Sequence, residues 1–474
     1  MKAPSRLLWL LAVAGGLVAP AQAQTPSAEQ RVSAPPTLTL QAALAYAVEH
    51  YPTIKVAREH VNTSVAGVSV ARSAALPRLD SLWQVNRATV NNVTGLLLPQ
   101  SVLPAISGPP LVAASASSAW GSAAGAFLSW EPFDFGSRDA SVRSAEAAVA
   151  RARADESLTR LEVQSAVGAA FLAVVQAERA VGAAQADVER RQVLALAART
   201  LADNQLRPGA EASRADAERA AAETRAILTR QTLAIAQTTL ARTLGVTTGS
   251  VTASATNLLE PASGRSYADQ AAAAHPLAQA RQASVDLART QEDVLAYTNR
   301  PRLYVQSALF ARGSGATSNG ALDGGVNGVG LERANWAAGV QVVFPDLFSF
   351  TSLRARRSAS AATTRAERAR HEEALLMVTS QQHAASAMVE AARAVAAHTP
   401  VQLAAARQTE VQATVRYRAG LASIVEVADA QSLLVQAEYQ DAVARVDVWR
   451  ALLAEGVAHG DLTPLVSLLS SGAR

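Results

Sequence analysis

The sequence contains no cysteine, only three methionines and few aromatic residues. The absence of cysteine excludes disulfides, thiolate metal sites and a lipid-bearing N-terminal cysteine. One of the three methionines is Met1, so a methionine relay for copper has no support. His371, His383 and His398 are separated by 12 and 15 residues, a spacing that suits no zinc ligand set. The sequence therefore predicts no metal site and no cofactor.

Catalytic signatures and basic clusters are also missing. The chain has neither a Gly-x-x-x-x-Gly-Lys phosphate loop nor a Gly-x-Ser-x-Gly nucleophile elbow. Its 43 basic residues, nearly all arginine, are scattered among 39 acidic residues rather than clustered. Such a pattern is typical of solvated helix surfaces. We therefore expect neither an enzyme nor a nucleic-acid-binding protein.

The N-terminus has the pattern of an export signal. Lys2 and Arg6 precede the apolar run "LLWLLAVAGGLVA", and Ala21-Gln22-Ala23 fits the small-x-small cleavage rule. The apolar run is shorter than the roughly 20 residues of a membrane-spanning helix. We predict cleavage after Ala23, so that residues 1–23 form the signal peptide and residues 24–37 a linker. No other stretch has the length of a transmembrane helix, so any membrane role falls to β-strands.

The chain repeats its own sequence pattern. "HYPTIKVAREH" at His50 and "HPLAQARQAS" at His275 each open a segment that ends in Pro-Arg-Leu. The two prolines of each segment are 25 residues apart (Pro52 and Pro77, Pro276 and Pro301). Further along, "WEPFDFG" corresponds to "VFPDLFS" and "LRPGAEAS" to "YRAGLASI". An ordered series of helix breakers predicts a tandem duplication, with repeats at 38–250 and 266–460, an inter-repeat segment at 251–265 and a flexible tail at 461–474.

Each repeat is predicted to contain a helix, two strands, a long helix, a tip and a second helix. The predicted first repeat has an opening helix near 39–75, strands at 79–91 and 118–130, a long helix at 139–205 and a helix at 211–245. The predicted second repeat has strands at 302–312 and 334–344, a long helix at 351–417 with a kink at Pro400, and a helix at 421–458. The long helices exceed any globular domain and predict coiled-coil packing.

The predicted strands have the length of a tilted membrane crossing, about 9–11 residues. Four tryptophans lie at or near their ends, where aromatic girdles sit (Trp83, Trp120, Trp130 and Trp336). Soluble hairpins would show the same local pattern. Because four strands are too few to close a barrel, a membrane-spanning version requires several chains to pool their strands. Pro132, Gly136 and Pro345 mark the corners where strand becomes long helix.

At this point the sequence resembles the TolC-type outer-membrane efflux proteins. The resemblance lies in the duplicated halves and in "WEPFDFGSRDASVRSAEAA", "RPGAEASRADAERA" and "YRAGLASIVEVADAQSLLVQAEYQ". It implies a homotrimer with a shared twelve-stranded barrel in outer-membrane lipid and a helical tunnel in the periplasm. It also implies a passive exit duct for efflux or type I secretion, joined to an inner-membrane pump through a periplasmic adaptor protein.

The predicted tips carry the first candidate residues, Arg207, Gly209, Arg418 and Gly420. A glycine that adopts a left-handed conformation would let each chain segment reverse, and the arginines would complement the helix dipole. This is the ordinary chemistry of a helix C-terminus. The resemblance implies in addition that both tips contact the adaptor.

Glu426 and Asp429 are three residues apart, so both lie on one helix face. A solvated coiled-coil face would show the same spacing. The resemblance assigns the pair to an acidic ring at the periplasmic gate, although a Glu stands where an Asp is more usual and Ala422 replaces a polar gate-locking residue. Arg214, Asp216 and Tyr417 are candidates for gate pairing. An exported coiled-coil scaffold or adhesin without a pore is the alternative function.

Overall fold

Two helices of 67 and 69 residues, α3 (Ser137–Asp203) and α6 (Phe350–Arg418), dominate the structure. The computed structural model describes residues 37–89, 116–246, 251–254, 258, 271–316, 321–322, 326–345 and 350–471. α3 contains no proline and only two glycines, and its many alanines are strong helix formers. At about 1.5 Å per residue, a helix of this length extends about 100 Å.

The remaining elements complete two similar halves. The other helices are α1 (Leu40–His50), α2 (Pro52–Ser73), α4 (Gly209–Thr243), α5 (Pro276–Tyr297), α7 (Ile424–His459) and α8 (Thr463–Ser471). The strands are β1 (Thr37–Leu38), β2 (Arg78–Thr89), β3 (Ser118–Phe133), β4 (Thr252–Ala253), β5 (Arg302–Ser314) and β6 (Arg333–Val343). α3 packs against α4 and α7, and α6 packs against α7. The four long strands begin within one residue of the predicted positions.

The four long strands form one antiparallel sheet in the order β2-β3-β5-β6. Directly opposed residues share a face, and the register places a set of exposed apolar residues on a single face (Leu79, Trp83, Leu128, Leu309, Trp336, Val340 and Val342). The opposite face carries Asp80, Gln84, Gln306, Arg312 and Arg333. We call these the apolar face and the polar face of the sheet.

The main hydrophobic core lies around the middle of α3, between Leu161 and Val175. α1, the C-terminal end of α4, the second half of α7 and α8 pack around this segment. One 18-residue window of α3 is long and apolar enough to cross a membrane, contrary to our prediction that none would be. Half of that window is buried inside the molecule, so its apolar composition is explained by the core.

Two other predictions differ from the structure. The opening helix is divided into α1 and α2, because Tyr51 is extended and Pro52 begins a new helix; a residue before proline disfavours the helical conformation. The predicted flexible tail forms α8, where Leu465 and Leu469 join Leu462 in the main core. Their spacing puts them on one helix face, and burial of that face holds the segment in place.

α6 continues through Pro400, where we predicted a kink. Next to this proline, the buried Thr399 Oγ1 donates to Asp441 Oδ1 of α7 at 3.0 Å. Asp441 Oδ2 also accepts from Arg445 Nε at 3.1 Å. Pro400 has no backbone N–H to donate within the helix, and the residue before it, Thr399, links this part of α6 to α7. The predicted signal peptide, most of the linker and the loop after β2 lie outside the described residues.

Candidate functional site: the paired helix tips

The two long helices end in the same backbone motif. In tip 1 (residues 204–208) the amide of Leu206 donates to the carbonyl of Leu201 at 2.9 Å, and in tip 2 (residues 419–423) the amide of Leu421 donates to the carbonyl of Arg416 at 2.8 Å. Between these bonds lies one left-handed residue, Gln205 (φ 57°) in tip 1 and Gly420 (φ 78°) in tip 2. This is a helix C-terminal Schellman motif. It lets each chain segment reverse at the same relative position.

The prediction that Gly209 supplies the left-handed conformation of tip 1 is wrong. α3 ends at Asp203, and Gly209 is the first residue of α4, next to Pro208. The structure aligns Gly420 with Gln205, so matching the tips by their glycines placed them four residues out of register. Glu211 and Glu426 are the signal that finds the right register, because each is the third residue of its helix.

Arg207 joins the two tips. Its guanidinium lies 5.2 Å from the centre of the Tyr417 ring and donates to the carbonyls of Tyr417 and Ala422, each at 3.4 Å. It also pairs with Glu211 at 3.7 Å. Ala422 is the tip 2 equivalent of Arg207, and its buried methyl group packs in the tip core with Leu194, Ile424 and Val427. The cross-tip contact is therefore one-sided.

Tyr417 is a buried member of this cluster, and its hydroxyl donates to Glu211 Oε2 at 3.2 Å. Burial, followed by the charge of Glu211 and the hydrogen bond to it, raises the pKa of Tyr417 above its ordinary value, although Arg207 acts in the opposite direction. The hydroxyl therefore keeps its proton, and its capacity to donate, at neutral pH. The sequence proposed Tyr417 for gate pairing but did not identify Glu211 as its partner.

Glu426 and Asp429 are both exposed at the start of α7, but only one has a structural role there. Glu426 Oε1 accepts from the backbone amide of Ser423 at 3.1 Å, while Ser423 Oγ accepts from the amide of Glu426 at 3.4 Å. This reciprocal pair is a capping box, which a Glu forms and a shorter Asp would not span as well. Asp429 makes no ion pair within the described part of the chain.

The other predicted pairings are rearranged. Asp216 pairs with Arg199 of α3 rather than with Arg214, and Arg214 is exposed. Arg418 is also exposed, and with Tyr417 and Gln431 it lines a cavity of about 290 Å³. Arg214 occupies the position in α4 that Asp429 occupies in α7. The N-terminal turns of α4 and α7 thus present opposite charges at equivalent positions.

A buried ionic network above the tips was not foreseen. Arg191 of α3 is 1 % exposed and donates to Asp187, to Glu218 of α4 and to Ser432 of α7, at 2.8, 2.8 and 3.0 Å. Arg225 of α4 also pairs with Asp187 at 3.2 Å. In the sequence of an alanine-rich helix, charged residues such as Asp187 and Arg191 are expected to lie on the surface. Only the packing of three helices around Arg191 brings them together.

At the first strand-to-helix corner, Gly136 is left-handed (φ 95°) and lies against Tyr297; a Cβ there would be 3.1 Å from its ring. Asp134 accepts from the amides of Gly136 and Arg138, which caps α3. Pro132 lies where the β3–β5 register shifts between Trp130 and Phe133, so its missing N–H costs no ladder bond. At the second corner, Pro345 follows β6, and the turn beyond it lies outside the described residues.

Comparison with known proteins gives a family match for the first half. Residues 43–246 match the model of the outer membrane efflux protein family. That family comprises channel proteins rather than enzymes, and its location is the outer membrane. No curated protein gives a significant match to the chain.

Several solved structures share the fold at low sequence identity. The outer membrane protein VceC from Vibrio cholerae is 16 % identical, with a TM-score of 0.69, covering 89 % of this chain and 96 % of that chain. The CmeC outer membrane channel of Campylobacter jejuni is 15 % identical, with a TM-score of 0.70 and coverages of 91 % and 89 %. CusC, described as forming a transmembrane channel, is 12 % identical, with a TM-score of 0.73 and coverages of 89 % and 92 %.

These comparisons agree with the resemblance recognised in the sequence. The family match covers the first predicted repeat, and the shared fold extends over about nine-tenths of the chain. The recognition is thereby confirmed: residues 43–246 carry the sequence pattern of the outer membrane efflux protein family, and the chain has the fold of TolC-type outer-membrane channels.

Proposed function

We propose that three copies of this chain form a channel-tunnel, a twelve-stranded β-barrel in the outer membrane that continues into a helical tunnel in the periplasm. It would serve as the passive exit duct of a tripartite efflux or type I secretion system. The observation that carries this proposal is a four-stranded sheet with an exposed apolar face, joined at Gly136 directly to a helix of 67 residues. A soluble protein has no reason to expose Trp83 and Trp336 on such a face.

The edges of the sheet support the pooling of strands. β2 and β6 are its outer strands, and in lipid the backbone of an unpaired edge would have no hydrogen-bond partners. Neighbouring strands are all antiparallel, so β2 and β6 run in opposite directions. β6 of one copy can therefore pair with β2 of the next in the antiparallel sense. Closure of such a barrel gives an even number of antiparallel strands, as in bacterial outer-membrane barrels.

The tips would be the periplasmic entrance, in contact with the adaptor and, through it, the inner-membrane pump. They lie at the end of the long helices farthest from the sheet. Leu206 and Leu421 of the tips, and Arg418 at the end of α6, are exposed and available for such a contact. The Arg207 cluster would hold the paired tips in one arrangement, and its release would accompany opening.

Asp429 and Glu426 would attract cations at this entrance. Three copies would place six carboxylates around the mouth, and rings of carboxylates favour cations in channels. Because Glu426 is held by Ser423, Asp429 is the carboxylate free to face a passing ion. Its neutralisation should therefore affect ion selectivity more than that of Glu426.

The test is single-channel recording of the purified mature protein in a planar bilayer. Wild type is compared with Asp429→Asn and Glu426→Gln, with Arg214→Gln as the matched control at the equivalent position of tip 1. We expect discrete cation-selective steps whose selectivity and divalent-cation block fall most in Asp429→Asn. Conductance steps with unchanged selectivity in both acidic variants would support the duct and contradict the proposed acidic ring.

The alternative, an exported scaffold or adhesin without a pore, predicts a different set of results. It requires folded protein that gives no conductance steps and no heat-modifiable trimer on electrophoresis. Arg207→Ala is recorded in parallel, because loss of the cross-tip contact should open a closed tip. Absence of steps from a folded Arg207→Ala protein would contradict the proposed duct.

A further inference from the structure

The polar face of the sheet carries a row of polar side chains at the end of the strands away from the long helices, and two of them have a donor without an acceptor among the described residues. The register joins Gln84 of β2 to Ala123 of β3, Ala123 to Arg312 of β5, and Arg312 to Arg333 of β6. These four residues therefore lie side by side on the polar face. Arg312 is two residues from the end of β5, at the end of the sheet away from the long helices.

Two donors of this row are buried and unpaired. Arg312 is 6 % exposed, and its Nη1 has no hydrogen-bond partner within the described residues. The same holds for the Nε2 atom of Gln84. Buried donors are almost always satisfied, and a buried charge is usually paired or bound to an ion. A guanidinium and an amide left open in one row indicate that a group other than the described residues completes them.

The charge and the donor geometry of the row indicate the kind of partner that would complete it. Arg333, directly opposite Arg312, adds a second positive charge, and no carboxylate pairs with either arginine within the described part of the chain. Ala123, 1 % exposed, is the small residue between Gln84 and Arg312. With strands about 4.8 Å apart, the backbones of Gln84 and Arg312 are about 10 Å apart, so both long side chains can reach one small group over Ala123. Arginine guanidinium donors match the oxygen atoms of carboxylate and phosphate.

We propose that Gln84, Arg312 and Arg333 form a binding site for a small oxyanion, a carboxylate or phosphate group, on the polar face of the sheet. The inference rests on the proposed duct, because only in a closed barrel does this face line the lumen. The site would then lie near the outer mouth, at the opposite end of the molecule from Asp429. It would take the anionic group of an exported compound or an anion arriving from outside.

The experiment measures block of single-channel current by inorganic phosphate added to one side of the bilayer at a time. Block from the side of the sheet indicates an anion from outside, and block from the side of the tips indicates an anion carried through the tunnel. We expect Arg312→Gln to weaken phosphate block at least fivefold relative to wild type. Gln84→Met, which keeps the side-chain shape and removes the donor, should weaken it by a smaller factor.

Arg87→Gln is the matched control. Arg87 lies near the same end of β2 but on the apolar face, where its Nε donates to Ser118 at 3.0 Å. The Arg87→Gln substitution removes one positive charge, as Arg312→Gln does, but leaves Gln84, Arg312 and Arg333 unchanged. Block by phosphate should therefore stay at the wild-type level. Equal effects of Arg87→Gln and Arg312→Gln, or wild-type current that phosphate leaves unchanged, would overturn the site.

A second readout separates this site from the duct. Thermal unfolding of the purified protein is measured with and without phosphate, in wild type, Gln84→Met and Arg87→Gln. A phosphate-dependent rise in Tm that Gln84→Met reduces and Arg87→Gln retains would support the site even if no channel were recorded. Absence of any phosphate-dependent rise, together with normal channels, would reject the site and leave the duct intact.

Discussion

Tip 1 and tip 2 have nearly the same backbone and almost none of the same side chains. Both end a long helix in a Schellman motif with a left-handed residue, but tip 1 uses Gln205 and tip 2 uses Gly420. Tip 1 supplies Arg207, whereas tip 2 has Ala422 at that position and offers carbonyl groups to the arginine. The comparison shows that the two halves share the turn, while the contacts between the tips depend on residues that differ.

The largest effect should come from Gly420→Val. A β-branched residue at φ 78° is strained, by about 1–3 kcal/mol, and the new side chain would also approach Arg207. We expect faster hydrogen exchange at the amides of tip 2 and weaker export, while the sheet still assembles. Gly209→Val is the control, because Gly209 has open space around it. Equal damage from both variants would contradict the new alignment of the tips.

A somewhat smaller effect is expected from Arg207→Ala. It removes the contact with the Tyr417 ring and the hydrogen bonds to the carbonyls of Tyr417 and Ala422, which together contribute about 1–2 kcal/mol. Hydrogen exchange should then increase in both tips, not only in tip 1. Arg418→Ala, which removes an exposed arginine, should stay within about 0.5 kcal/mol. If Arg418→Ala matched Arg207→Ala, the cross-tip contact would have no special role.

Tyr417→Phe should cost about 1 kcal/mol, because the bond to Glu211 is lost while the ring remains. The raised pKa of Tyr417 fixes the sign of the pH dependence. Its stabilising contribution is present below the ordinary tyrosine pKa of 10.0 and is lost as the pH rises through the folded-state value. The Tm of wild type should therefore fall more in strongly alkaline solution than the Tm of Tyr417→Phe. Parallel alkaline profiles would exclude this role.

The smallest expected effect, and the only gain, comes from Gln205→Gly. A left-handed conformation costs a non-glycine residue about 1–2 kcal/mol, whereas added glycine flexibility costs about 0.5–1 kcal/mol in the unfolded chain. The variant should therefore stabilise tip 1 by about 0.5 kcal/mol, measured as slower hydrogen exchange at its amides. Destabilisation would mean that the Gln205 side chain contributes a contact of its own.

The large-scale features were predictable because they follow from periodicity and breakers. A long run without proline predicted α3, a long alanine-rich run predicted α6 in spite of Pro400, and alternating residues after Pro77 and Pro301 predicted strands. The position of the left-handed residue in tip 1 could not be predicted from the glycines. Gln205 adopts that conformation there, because the hydrogen bonds of the Schellman motif hold it. α8 was missed because its three leucines are informative only once a core exists to receive them.

The candidate site was partly predictable in the same sense. Tyr417, Glu426 and Arg207 could be named from the ends of the helices, but their partners come from elsewhere in the chain. Glu211 is 206 residues from Tyr417, and Ser432 is 241 residues from Arg191. No local pattern marks such pairs, because side-chain contacts depend on which helix faces meet.

The sequence by itself determined the duplicated plan, the long helices, the membrane-length strands and the positions of the charged residues along them. Local propensity and residue spacing encode these features, and the same pattern occurs in both halves of the sequence. Only the tertiary structure decided that Arg207 crosses to tip 2, that Arg191 becomes buried, and that Gln84 and Arg312 share one row of the sheet. The physical reason is that burial and pairing are properties of two surfaces in contact, whereas the sequence specifies each surface alone.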